Sequence, residues 1–230
     1  MQHLDQAVAG AHAKLERRIQ GYLRSSGLKP SCHKGCYACC HALVTLGLAE
    51  AEYLRARLSP QILARTERVG HARLEAIARG KGQPDFPTRY FLGAHRCPLL
   101  DEAGACSAHP YRPLACRGVL TELNPRYCAP GAVLRLRGRA RLEYEHQLRG
   151  HHGPEHYLKI PWQRSEGLAQ RLWEQEQAIR GFTVIGELAT LIYFCGLEGF
   201  QQALKRGARA TQLYLRSAGV LGGAWGFWVG

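Results

Sequence analysis

No run in this 230-residue sequence is apolar for long enough to cross a bilayer. The best candidate, residues 182–197, is short and carries Glu187, so it reads as a buried segment. The N-terminal region lacks the uninterrupted apolar stretch of an export signal, which leads to the expectation of a reducing, cytoplasmic setting. No glycine-rich phosphate loop, no H-E-x-x-H and no defensible Ser-His-Asp order is present, so P-loop, zincin and triad chemistry have nothing to rest on. There is no internal repeat of useful length. Acidic residues are scarce, 18 Asp and Glu against 31 Lys and Arg, for a net charge of +13. That balance invites an anionic ligand, an acidic surface or a protein partner. The arginines are scattered and fit no nucleic-acid motif, which disfavours nucleic acid, and bound thiolates would cancel part of the charge.

Cysteine, by contrast, is plentiful. Nine are present, an odd number that speaks against a pure disulfide framework and, in a reducing compartment, for metal binding or chemistry. Four of them, Cys32, Cys36, Cys39 and Cys40, are spaced C-x3-C-x2-C-C. A helical turn at Cys36 would place Cys39 and Cys40 on its own face. Thiolates so close repel one another, and a cation is the usual remedy; zinc and iron–sulfur clusters both take cysteine sulfur from short, turn-forming spacings. The vicinal pair points to a polynuclear site, or to one ligand beside one bystander.

A second group, Cys97, Cys106 and Cys116, lies among Pro and Gly residues that suit ligand loops, and Cys128 in R-Y-C-A-P-G is either an eighth ligand or a spare thiol. Two closed zinc sites would use eight thiolates; one four-iron cluster would use four and leave the rest for a second site or for redox exchange. Arg112 and Arg117, with Lys34 in the first group, read as charge compensation for a cofactor, or in the case of Arg112 as loop packing against Asp101. His33, His41, His95 and His109 fit better beside the ligands than among them. His151, His152 and His156, with Glu155, read as a solvated loop more than a peripheral metal site. Cys195 falls in an apolar helical run and reads as a core residue, as do Trp162 and Trp173.

The periodicity predicts helices over 4–23, 43–58, 61–79, 165–180 and 182–206, and a loop over 80–87. Residues 102–104 read as a tight turn joining two short strands. Residues 131–149 fit both a strand and a helix face, with the helix slightly favoured. The Gly-rich tail from 218 on has no account. The expected fold class is therefore mainly α: a helical domain with cysteine-rich metal-binding loops and a possible short β-hairpin. A cysteine-cluster domain is expected over residues 1–130, with a helical extension over 131–230 packed on it.

The opening cysteine group with its vicinal pair, then Cys97-Pro98-Leu99-Leu100, Cys106-Ser107 and Arg112-Pro113-Leu114-Ala115-Cys116-Arg117, resembles the YkgJ-like cysteine-cluster family over about residues 31–128. Where members of that family often have Ile-Tyr-Glu after Cys-Ser, this chain has Ala108-His109-Pro110-Tyr111. The resemblance implies zinc or iron chelation, in part described as iron–sulfur binding, with the activity unassigned. It also implies an alternative, cluster-dependent group transfer or redox chemistry, because a related domain occurs in the N-methylase of flagellin lysines. A zinc-stabilised nucleic-acid module is a further alternative.

Overall fold

The structure, a computed structural model, describes residues 2–33 and 35–230; Lys34, offered above as a compensating charge, lies outside them. The fold is mainly helical, with one small sheet. Among the described residues no helix is long and apolar enough to cross a membrane.

Helix α1 (Gln2–Ser26) forms because Leu4, Val8, His12, Leu15 and Ile19 recur every three to four residues and make one buried stripe. That stripe packs on α5 (Leu114–Gly118) and α7 (Lys159–Arg180) around Tyr53, Leu114, Leu168 and Leu172. A second layer sets α3 (Pro60–Gly80) against α8 (Leu188–Gly196). Ser59 caps α3 by accepting from the Ile62 amide, with Pro60 at the first turn where its missing N–H is harmless. The two helices approach closely at Gly70, where a Cβ would stand 2.1 Å from the Ala189 carbonyl oxygen.

Two expected helices begin as strands. Of residues 43–58, Thr45–Gly47 form β1 and only Leu48–Arg55 form a helix, α2. Of residues 182–206, Val184–Glu187 form β2, followed by α8 and by α9 (Glu198–Lys205). The strands pair antiparallel, Thr45 opposite Glu187 and Gly47 opposite Ile185, so each strand-to-helix step is stabilised by its counterpart about 140 positions away. Long-range pairing overrides local helical periodicity here. The tail supplies the third strand, β3 (Trp228–Val229), on the far side of β2, with Phe227 buried behind it. Preceding it is α10 (Ala208–Ser217).

The loop over 80–87 gives way at Phe86 to a short helix, α4 (Phe86–Leu92), which the sequence reading did not anticipate. The turn at 102–104 is present, with Gly104 at φ +81°, but its flanks are joined by a single antiparallel bridge, Leu100 to Cys106, instead of two strands. Residues 131–149 contain α6 (Gly138–Gln147). Cys195 sits in the main core on α8, and the layers draw elements from both sides of residue 130.

Candidate metal centre

After α1 the chain enters the first cysteine segment pinned by Ser31, whose amide and hydroxyl both donate to the Thr121 carbonyl at 2.8 and 3.1 Å. The Cys32 thiol reaches the same oxygen at 3.9 Å. The expected helical turn at Cys36 is absent. The segment runs through successive tight turns, Cys36 N–H to His33 O, Cys40 N–H to Tyr37 O and Ala42 N–H to Cys39 O. The Cys40 carbonyl, which a helix would use locally, instead accepts from the Cys97 amide at 2.9 Å. That bond ties the two cysteine segments together.

The second segment is a tight hairpin. The Asp101 carboxylate accepts from the Ala105 amide at 2.8 Å, and Ser107 N–H donates to Leu99 O at 2.8 Å, which sets Cys97 and Cys106 side by side. Pro113 then starts α5, which carries Cys116. Cys128 ends a 3-10 turn (Pro125–Cys128); its sulfur lies 3.2 Å from His156 Nε2 and accepts the Tyr157 hydroxyl.

Seven of the eight candidate ligands, Cys32, Cys36, Cys39, Cys40, Cys97, Cys106 and Cys116, line one cavity of about 610 Å³. Cys128 is buried beside it. Cys39 and Cys40 hydrogen-bond to each other, which draws the Cys39 thiol down to about 7 and pushes Cys40 up. Burial pushes Cys97 up to about 11 and Cys128 to about 12, and raises Cys32, Cys106 and Cys116. The raised thiols favour the protonated form until a cation displaces the proton, while Cys39 is drawn toward its thiolate; both behaviours suit a metal-binding thiol set. All nine cysteines are free.

Arg112 lines the same cavity, and its guanidinium lowers Cys32, Cys39, Cys106 and Cys116. Its buried Nε has no hydrogen-bond partner among the described residues, and Asp101 spends its carboxylate on the turn and not on this arginine. Arg117 does not line the cavity. It donates to the Arg112 carbonyl at 2.8 Å and to that of Pro110, and lies 3.5 Å from His12 on α1. Its contacts hold the loop that presents Arg112.

Sequence reasoning missed three polar members of the wall. Arg73 and Glu187 form a buried ion pair at 2.6 Å, and Tyr157 closes the side toward Cys128. Glu187 in an otherwise apolar run was the one available signal. Of the four nearby histidines, His33, His95 and His109 line the cavity and His41 does not. The loop at 151–156 divides. His156 is buried between Cys128 and Tyr144, and burial lowers it to about 4. His151 and His152 gather on Glu122, not Glu155, at 2.6 and 3.5 Å. His152 Nδ1 accepts from the Arg149 amide, so the neutral ring keeps its proton on Nε2, which stands 3.5 Å from Glu122, buried and without a hydrogen-bond partner among the described residues.

That trio is the only group of three or more such donors within 4.8 Å of one another among the described residues, so no three cysteine sulfurs are that close. A single zinc with sulfur at about 2.3 Å needs sulfur–sulfur edges of about 3.8 Å. Cys39 and Cys40 are a close pair, but no third sulfur joins them or any other pair at that spacing.

No curated protein and no solved structure matches the chain. Residues 31–129, less than half of the chain but spanning all eight candidate ligands, match the CxxCxxCC family model, described as a putative zinc- or iron-chelating domain. Residues 31–129 are therefore similar to this putative zinc- or iron-chelating domain, and the matched stretch contains all seven cysteines that line the cavity.

Proposed function

We propose that the protein holds an iron–sulfur centre through Cys32, Cys36, Cys39, Cys40, Cys97, Cys106, Cys116 and Cys128, in a reducing compartment such as the cytoplasm. The observation that carries this reading is the convergence of seven cysteines, from segments far apart in sequence, on one cavity. The donor set fits the group: sulfur is the first-choice ligand for such clusters, and Arg112 offers a guanidinium to offset their charge. The sulfur spacing supports a polynuclear centre over a single zinc ion.

The test is visible absorption with metal and acid-labile sulfide analysis on protein purified anaerobically without added metal. Broad sulfur-to-iron charge-transfer absorption with matching iron and sulfide is expected. A colourless protein carrying zinc alone would overturn the preference for iron; protein with neither metal would overturn the reading itself.

A second reading, an enzyme of group transfer or redox type, draws on the size of the cavity. About 610 Å³ is within the range of small-molecule sites, and its walls include Val44, Leu99 and Leu188 as well as the Arg73–Glu187 pair. A bound cluster would supply one-electron chemistry there. Arg73, Glu187 and Tyr157 would orient whatever shares the cavity. Lysine N-methylation, the activity associated with the related flagellin-modifying enzyme, is one such transfer. Incubating the anaerobic protein with methyl donors and lysine peptides, and finding no transferred group by mass spectrometry, would remove that option.

A further inference from the structure

Cys128 is the one candidate ligand that does not line the cavity, and its surroundings differ from those of the other seven. Its sulfur is buried, with two polar side chains turned toward it: His156 Nε2 at 3.2 Å and the Tyr157 hydroxyl. His156 is fully buried, and its Nδ1 lies 3.2 Å from the hydroxyl of Tyr144, itself buried, on α6. In a neutral imidazole one nitrogen donates and the other accepts. A metal-bound thiolate can only accept. The chain therefore runs from Tyr144 O–H to His156 Nδ1, and from His156 Nε2–H to the Cys128 sulfur. Tyr157 also lines the cavity, so Cys128 lies one side chain behind its wall.

The backbone holds these donors in place. Ser31 and the Cys32 thiol are bound to the Thr121 carbonyl, and the Thr121 hydroxyl donates to the His156 carbonyl at 3.0 Å. The first cysteine segment and His156 thus share one support. Gly153 N–H donates to Tyr157 O at 2.7 Å and Leu158 N–H to Leu120 O at 2.8 Å, which closes the loop around His156. Within that loop Glu155 has φ +56°, a left-handed conformation that a residue with a side chain keeps only where its surroundings impose it. Glu155 is exposed, and the residue that follows it is wholly inside. A spare thiol would gain little from this arrangement, because a thiol is a weak acceptor. A ligating thiolate is charged and takes such bonds at roughly twice the strength of neutral ones.

We infer that Tyr157 and His156 are positioning residues that donate two hydrogen bonds to the Cys128 thiolate when it ligates the centre and so raise the centre's reduction potential, with Tyr144 orienting the His156 ring. This rests on the iron–sulfur reading above and deepens it. Reduction adds negative charge that spreads onto the sulfur ligands. Fixed donors aimed at one of those sulfurs stabilise the reduced form more than the oxidised one, and hydrogen bonds to sulfur are among the determinants of cluster potential. Cys128 thereby acts as a ligand from behind the cavity wall, and the burial of His156 serves more than packing.

The experiment takes the intact chain, purified anaerobically with its centre, and titrates it with dithionite in the presence of mediator dyes. Iron and sulfide per chain, midpoint potential and melting temperature are measured for the parent protein and for Tyr157→Phe, His156→Leu, His156→Gln and Cys128→Ala. Tyr157→Phe and His156→Leu should keep the parental iron and sulfide and each shift the midpoint to a more negative potential. His156→Gln, which keeps a donor near the place of Nε2, should shift it less than His156→Leu. Cys128→Ala should lose iron. Should His156→Leu or Cys128→Ala fail to fold, Tyr157→Phe decides alone. A Tyr157→Phe protein with parental iron and an unchanged midpoint overturns the proposal, whether or not its melting temperature falls. So does loss of iron from Tyr157→Phe, which would make the hydroxyl structural. A Cys128→Ala protein with the iron and potential of the parent would make Cys128 a spare thiol and overturns it as well. A parent protein that holds zinc alone, or no metal, overturns the iron–sulfur reading beneath it, which separates the two failures.

Discussion

At the scale of single residues, Arg112 is the group whose chemistry is most exposed to test. A guanidinium beside four thiols lowers the free energy of their charged forms, so its removal should make every thiolate near it harder to form. Arg112→Leu is expected to weaken metal retention roughly 10- to 100-fold in chelator competition, the range typical of groups that support ligands. Arg117→Leu should act differently, through thermal stability, because its contacts are loop carbonyls and α1. If Arg112→Leu held metal as tightly as the parent protein, the charge-compensation role would fall. The buried titratable groups set a second expectation, for the metal-free protein. Cys97 is raised from 9.0 to about 11, so the stability it contributes is complete below pH 9 and is lost as pH rises toward 11. His156 is depressed from 6.5 to about 4, so its contribution is present above pH 6.5 and is lost as pH falls toward 4. Both contributions are complete between about pH 6.5 and 9, so thermal melts should show a smaller loss above pH 9 in Cys97→Ala, and a smaller loss below pH 6.5 in His156→Gln, than in the parent protein. Metal binding has the opposite slope at the thiols, because ligation needs them deprotonated, so affinity should fall on acidification.

At the scale of elements, what was legible in the sequence was what local rules control. The stripe of α1, the capped start of α3 and the end of α7 follow from apolar spacing, Ser59-Pro60 and Gly181, whereas α7 begins at Lys159, six residues before the expected start at 165. The strands β1 and β2 were not legible because each is only three or four residues long and is defined by its partner. The eight cysteines could be found because their spacing is itself the signal. Arg73, Glu187 and Tyr157 could not, because a helix, a strand end and a loop bring them to the cavity from three unrelated places. The Arg73–Glu187 pair binds α3 to the start of α8, where Glu187 also caps the helix by accepting from the Thr190 amide at 2.8 Å. Arg73→Met would strand a buried carboxylate and is expected to destabilise by about 3–5 kcal/mol in urea unfolding. Gly70→Ala, at the close approach of the same two helices, should cost about 1–3 kcal/mol through overpacking, with the metal content unchanged. A loss of metal in Gly70→Ala at temperatures where it stays folded would show that the layer and the centre are coupled more tightly than the packing implies.

At the scale of the whole molecule, the question is how much of the fold depends on the metal. The cluster of α1, α2, α5 and α7 contains no cysteine among its buried residues, and the core of α3 and α8 holds only Cys195 as a buried member, with Cys97 and Cys106 at its margin. Both layers bury aliphatic and aromatic side chains independently of the thiols, so they are expected to persist without a centre. The loops carrying the ligands are another matter: they cross the cavity on a few backbone bonds, and the thiols there repel one another once ionised. Metal should therefore supply much of the order of these loops and a smaller share of the helical layers. Chelation of the native protein is expected to raise amide hydrogen exchange in residues 31–42 and 97–112, while α1, α3, α7 and α8 keep most of their protection. Cys36→Ser and Cys116→Ser should reproduce that pattern together with lower metal content and a lower melting temperature. Unchanged metal in both would remove these residues from the site. If chelation instead released protection throughout the chain, the centre would be the nucleus of the whole fold, and the cores of α1–α7 and α3–α8 would have to be regarded as stable only around it.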